Sequence, residues 1–311
     1  MVTGSLTASD TLRNSMRRYL PVSALLLIMG LAFLAQAETG RRGLHLKLSG
    51  GVGSFAVGDF NTFFGDTIPY YESVLSPYGF TRQGEYQELR KAWNASGEIV
   101  VDLSRVFSAG LAVEYHQADN RSSFSWSHPE YNSLSVDITP SLNVVPIKLN
   151  AYATLPLTPA LNSYVNGGLG IYTARATFDY LEDSRIPEDE GMFKSEIRAN
   201  GTGFGIHGGL GLELKLSPGL ALFTEGSYRY AKLGNLDGRM SVKADSPFTE
   251  TVMGKIWYFE FFDDGSSRQL SGISFGEKPE EEGLAFLREL ELDLSGFSLK
   301  IGFRVRFTVW E

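Results

Sequence analysis

The 311-residue sequence predicts an all-β fold, a single eight-stranded antiparallel up-and-down barrel, and three observations predict it. Eight segments alternate apolar and polar residues with the period of two that strands require. The connections between them alternate between hairpin-sized and long. The polar faces carry charges of both signs in similar numbers.

The first strand, about 43–54, sets Leu44, Leu46 and Leu48 against His45, Lys47 and Ser49. The second, about 96–104, opposes Ile99, Val101 and Leu103 to Glu98, Val100 and Asp102. In the third, about 109–117, Leu111, Val113 and Tyr115 face away from Ala112, Glu114 and His116. The fourth, about 143–157, places Val145, Ile147, Leu149 and Leu155 on one side and Lys148, Asn150 and Tyr152 on the other. The fifth, about 163–178, alternates Val165, Leu169 and Ile171 with Tyr164, Asn166 and Tyr172. Phe204, Ile206, Leu210, Leu212 and Leu214 oppose His207, Glu213 and Lys215 in the sixth, about 202–216. The seventh, about 219–231, opposes Leu220, Leu222, Tyr228 and Tyr230 to Glu225, Ser227 and Arg229. The eighth, about 294–308, opposes Phe297, Leu299, Ile301, Phe303, Val305 and Phe307 to Lys300, Arg304 and Arg306.

Short connections fall at 105–110, 158–162 and 217–219, and long ones at about 55–95, 118–142, 180–200 and 232–293. Loops of the second length are unusual inside a compact soluble domain. Three short periplasmic turns and four long extracellular loops are the rhythm of a transmembrane barrel. Only a closed barrel satisfies the backbone of strands in a bilayer, and eight strands leave an interior just filled by side chains. The charged face then lines the lumen: Lys47, Glu98, Asp102, Glu114, Lys148, Glu213, Lys215, Glu225, Arg229, Lys300, Arg304 and Arg306. An unpaired buried charge is costly, so these residues are expected to neutralise one another. Gly168, Gly170, Gly205, Gly209 and Gly211, on the same side, would make room for Tyr152, Arg229 and Arg304 or curve the wall. Tyr115, Tyr228 and Tyr230 sit where a loop-side aromatic girdle belongs, and Trp310 would be its counterpart at the other interface. Two loop segments, 67–79 and 277–293, carry signs of short surface helices.

The first residues read as an export signal. Arg17 and Arg18 flank the apolar run Leu20–Leu34, and Ala35-Gln36-Ala37 has the small residues of a cleavage site at Ala35 and Ala37. The run is short for a spanning helix, which needs about 20 apolar residues. The expected organisation is a signal peptide over 1–37, with Met1 or Met16 as its start, and a barrel domain over 38–311. Loss of Arg13, Arg17, Arg18 and Asp10 from 28 basic and 36 acidic residues leaves a net charge of −10, poor for nucleic-acid binding. The absence of cysteine excludes a disulfide scaffold and a thiol nucleophile.

The last strand, Lys300-Ile301-Gly302-Phe303-Arg304-Val305-Arg306-Phe307, resembles the β-signal read by the barrel-assembly machinery, with Lys300, Gly302, Val305 and Phe307 in the signal positions. The chain looks like the small eight-stranded outer-membrane proteins, the class of the OmpA transmembrane domain, OmpW, OmpX and the opacity proteins. That resemblance implies residence in the outer membrane, with outer-membrane lipid, lipopolysaccharide and the assembly machinery as partners. It implies a barrel with a plugged, charge-paired lumen in a structural or surface-interaction role. Other readings are a narrow conduit for small or hydrophobic molecules, a lipid A-modifying enzyme, and a soluble periplasmic ligand-binding barrel with its faces inverted. The histidines His45, His116, His128 and His207 lack metal-ligand spacing, and no catalytic residue, metal or cofactor is expected. Ser127-His128-Pro129-Glu130 is the one compact serine–histidine–carboxylate run, and adjacent residues rarely build such a triad.

Overall fold

A computed structural model describes residues 43–308, except 131, 187–189, 245–248, 263–268 and 281–283. The export signal, Ala35, Ala37 and Trp310 therefore lie outside the described residues. The chain forms β1 (Gly43–Ser54), α1 (Asp59–Leu75), a 3-10 turn (Ser76–Tyr78), β2 (Thr81–Gly84), β3 (Lys91–Asp102) and β4 (Phe107–Asp119). It continues with β5 (Ser122–His128), β6 (Asn132–Pro156), β7 (Leu161–Ser184), β8 (Gly191–Ser217) and β9 (Leu220–Leu233). β10 (Asp237–Lys243), β11 (Thr249–Phe262), β12 (Gln269–Gly276), β13 (Ala285–Glu289), β14 (Leu292–Asp293) and β15 (Gly296–Thr308) complete it.

All these strands join one sheet of 15 strands, not eight. Eight of them correspond to the sequence-predicted segments. They follow one another as antiparallel neighbours in the order β1, β3, β4, β6, β7, β8, β9, β15, and β15 returns to β1. The return pairs Gly43 with Thr308 and Lys47 with Arg304, so no edge of the ring is left open there. The seven additional strands lie in connections expected to be loops. They form because three ring strands run far past their neighbours. β6, β7 and β8 span 25, 24 and 27 residues, and the projecting hairpins offer edges on which β5, β2, β10, β11 and β12 continue the sheet.

Within the segment 277–293, Ala285–Glu289 and Leu292–Asp293 are strand where a helix was expected. Leu290, Leu292 and Leu294 are buried with polar residues between them, a period of two, and β13 pairs with β11. The first-loop helix does form, but longer than 67–79, and it is not a surface element. α1 buries Phe60, Phe64, Ile68 and Leu75, the one-sided apolar spacing that docks a helix on a core. It fills the concave side of the projecting sheet. Phe60 and Phe64 stack on Phe178 of β7 at ring distances of 4.3 and 5.0 Å, and Tyr71 meets Trp126 of β5 at 5.1 Å.

The ring strands change character along their length. Over the lower ring, below the phase change, apolar residues point outward: Leu299 is 60% exposed, Leu169 63% and Phe204 78%. Farther along β6, β7 and β8 the phase reverses. Leu142, Val144, Ala174, Ala176, Phe178, Ile197 and Ala199 are buried inside, while Ser141, Asn143, Arg175, Thr177 and Arg198 take the outer positions. Such a reversal fits a wall with an apolar environment outside its lower half and water outside its upper half.

Candidate functional site

The lower interior is a stack of ion-paired clusters, each assembled from strands distant in sequence. Nearest the short turns, Arg304 of β15 bridges Glu213 of β8 (3.0 Å) and Asp102 of β3 (3.2 Å). Asp102 also meets His45 at 2.7 Å and accepts the Ser108 hydroxyl proton at 2.9 Å. Next comes Lys47 of β1, between Glu225 (3.4 Å) and Glu98 (3.7 Å). Its ammonium also lies over the rings of Tyr152, Tyr164 and Phe223 at 4.5, 4.9 and 4.5 Å. Tyr152 donates to Glu98 at 2.6 Å, Asn150 to the other Glu98 oxygen at 2.6 Å, and Tyr164 to Glu225 at 3.1 Å.

The third cluster centres on Glu114 of β4, which is 5% exposed. It holds Lys148 at 2.5 Å, Lys300 in a shorter contact, and His116 at 3.0 Å. Two cations on one carboxylate balance because each neighbouring cluster carries carboxylates in excess. Charges that have left water are stable only in such fully partnered arrangements. The cavity among these side chains is about 20 Å³, room for roughly one water.

Nine of the twelve residues expected to form a lumen charge network meet carboxylate or ammonium partners within it. Three do not. Arg229 is buried, but its guanidinium caps backbone: it donates to the Leu294 carbonyl (2.7 Å), the Ser54 carbonyl and the Ser298 hydroxyl (2.9 Å), and covers the Phe55 ring at 4.2 Å. Lys215 and Arg306 are exposed, and Lys215 donates to the Pro159 carbonyl at 3.3 Å. They share the inward parity but lie past the last closed layer, where water solvates them. Lys215→Ala and Arg306→Ala are therefore expected to change unfolding free energy by less than about 0.5 kcal/mol in a urea titration. The lumen glycines accommodate rings other than those expected. A Cβ at Gly205 would stand 2.7 Å from Tyr172, and one at Gly211 would collide with Tyr164.

Above the charged layers the lumen is apolar, and this half was missed from the sequence. Phe55, Val57, Phe60, Phe64, Leu233, Leu236, Leu292 and Leu294 meet the inward residues of β6–β8 there. Charged clamps tie the filling to the wall. Asp59 at the start of α1 takes both Arg288 nitrogens at 2.7 Å and the Glu291 N–H at 2.8 Å. Asp66 accepts from the Ser271 N–H (3.0 Å) and hydroxyl (2.6 Å). Tyr71 and Tyr180 both donate to one Glu182 oxygen, at 2.6 and 2.7 Å, and burial followed by that bond pushes the Tyr71 phenol up. The signal for this half was present in the reversed phase of residues 134–144 and 172–178.

Among the described residues no helix is long and apolar enough to cross a membrane, and no group of three or more His, Asp or Glu is placed to hold a metal. Ser127 and His128 lie in β5, and the Glu130 N–H donates to His128 Nδ1 at 3.0 Å, the geometry of a turn. Residues 23–246 match the outer membrane protein β-barrel domain family. The chain belongs to that family.

This outer-membrane barrel protein resides in the outer membrane. It is similar to a major outer membrane protein of Thermus thermophilus, at 13% identity over 84% of this chain and 99% of that one, with a TM-score of 0.38. It is also similar to the outer membrane protein OprG of Pseudomonas aeruginosa (13% identity, 87% and 99% coverage, TM-score 0.35) and to Neisserial surface protein A (10%, 86% and 97%, 0.34). No curated protein matches the chain. On the outer wall of this barrel protein, Tyr115 stands beside Trp93 (5.3 Å) and Tyr228 beside Phe297 (4.8 Å). Tyr230 is exposed nearby. Trp93 and Phe297 are thus ring partners of two of the tyrosines expected to form a girdle. Gly302 and Lys300 point inward on β15, Val305 and Phe307 outward.

Proposed function

We propose that the ring of eight strands is the membrane-spanning unit of a plugged, non-catalytic barrel whose long connections form a surface-displayed platform. The three short turns then face the periplasm, and the projecting sheet with α1 stands outside the cell. The observation that carries this reading is the double closure of the lumen: ion-paired layers leave about 20 Å³, and an apolar plug fills the mouth above them. Paired charges inside and exposed apolar side chains outside also support lipid contact over a soluble ligand cavity. Lys300, Gly302, Val305 and Phe307 are proposed as the signal read by the assembly machinery, since they lie on the strand that closes the ring.

The test is twofold. Outer-membrane fractions run with and without boiling are expected to show a mobility shift, as an intact closed barrel resists detergent. Purified protein in planar bilayers is expected to stay electrically silent at high protein concentration. Steady single-channel steps would sink the plugged reading in favour of the conduit, and a soluble periplasmic band with no shift would sink the membrane-spanning one.

A further inference from the structure

On the outer wall at the end of the apolar band, a cavity of about 470 Å³ opens between β1 and the β3–β4 pair. Pockets that take small molecules have volumes of about 300–1,000 Å³. Its floor is Val52, Gly53, Ala92 and Trp93, and its rim is Lys91, Gln117 and Asp119. The depression exists because β1 ends here and its chain turns inward to bury Phe55 and Val57, while Gly53 and Ala92, whose Cβ positions face the lumen, present only backbone to the outer wall. The floor is held in place. The Trp93 ring packs against Tyr115, whose hydroxyl donates to Asn143 at 2.6 Å with the Gln117 side-chain oxygen 3.2 Å away.

The rim carries two opposite charges. Trp93 pairs in register with Gln117, so Lys91 and Asp119, two residues farther on, face each other on the same outer side. Among the described residues neither makes an ion pair. An apolar trough in contact with lipid, ending at a separated cation and anion, matches an amphiphile with an apolar tail and a zwitterionic head. We propose that this groove binds a phosphoethanolamine-bearing lipid, its acyl chain along Val52 and Trp93, its phosphate on Lys91 and its ammonium on Asp119. A primary ammonium can donate hydrogen bonds to the Asp119 carboxylate, and a quaternary one cannot, so the site separates ethanolamine from choline heads. The inference rests on the reading that the apolar outer wall faces lipid.

Trp93 reports on the groove directly. The full-length protein is reconstituted into vesicles mixing one unlabelled lipid with a brominated phosphatidylethanolamine, phosphatidylglycerol or phosphatidylcholine, and Trp93 quenching is taken as the difference from Trp93→Phe. The expected result is a preference for the ethanolamine lipid over both others of roughly two- to fivefold, the size of one or two exposed ion pairs. Asp119→Asn is expected to abolish that preference and shift binding toward phosphatidylglycerol, and Lys91→Gln to weaken quenching by all three lipids alike, since the phosphate it holds is common to them. Equal quenching by all three heads, or a preference surviving in Asp119→Asn, would overturn the site while leaving the wall lipid-facing. No quenching of Trp93 by any brominated lipid would instead overturn the membrane orientation itself.

Discussion

Glu114→Gln is expected to destabilise the folded barrel by about 3–5 kcal/mol, the cost of leaving buried partners uncompensated. This one carboxylate sits between Lys148, Lys300 and His116 and is only 5% exposed. Glutamine keeps the shape and removes the charge, so the loss reports electrostatics and not a cavity. Urea unfolding followed by gel mobility checks it. A companion variant, Glu114→Gln with Lys148→Met and Lys300→Met, is expected to recover only part of the loss, because Glu225 of the neighbouring cluster is then left with Lys47 as its ion-pair partner. A loss below about 1 kcal/mol for Glu114→Gln would mean that water, not pairing, neutralises the lumen cations.

Phe178→Ala is expected to undock α1 and leave the ring intact. Phe178 is buried on β7, above the phase reversal, and carries both Phe60 and Phe64 on its ring. Truncating such a side chain costs about 3–5 kcal/mol. Here the loss falls on the plug, since no ring-strand pairing involves that side chain. Hydrogen exchange is expected to show protection of the α1 amides falling by roughly two to three orders of magnitude, with β1, β3 and β15 unchanged. Boiled and unboiled samples should still migrate differently. Equal loss of protection across the ring would show that plug and barrel unfold as one unit. The same variant in a planar bilayer is expected to remain silent, because Arg304, Lys47 and Glu114 with their partners still fill the lumen below.

The sequence by itself determined which side chains face which way in the lower ring. A period of two is local, and the contrast between Leu299, Ile301 and Phe303 on one face and Lys300 and Arg304 on the other needs no partner to be read. It also determined that lumen charges come in both signs. It did not determine which of them meet. Lys215 and Arg306 share the parity of Glu213 and Arg304, and only the register of the closed ring puts two of these inside and two in water. Nor did it show that Arg229 would serve backbone carbonyls, since those carbonyls arrive from the ends of β1 and the last connection.

The upper half depended most on tertiary structure. Residues 134–144 alternate as cleanly as 145–155, but in the opposite phase, and a phase is meaningful only once the surroundings of both faces are known. The alternation in Leu290-Glu291-Leu292-Asp293-Leu294 competes with a helical acidic run, and pairing with β9 and burial against the plug settle it as extended chain. Local pattern fixes a side chain's direction relative to its own backbone. Whether that direction leads to lipid, water, a counter-charge or a helix depends on chain segments a hundred or more residues away, which only the closed ring brings together.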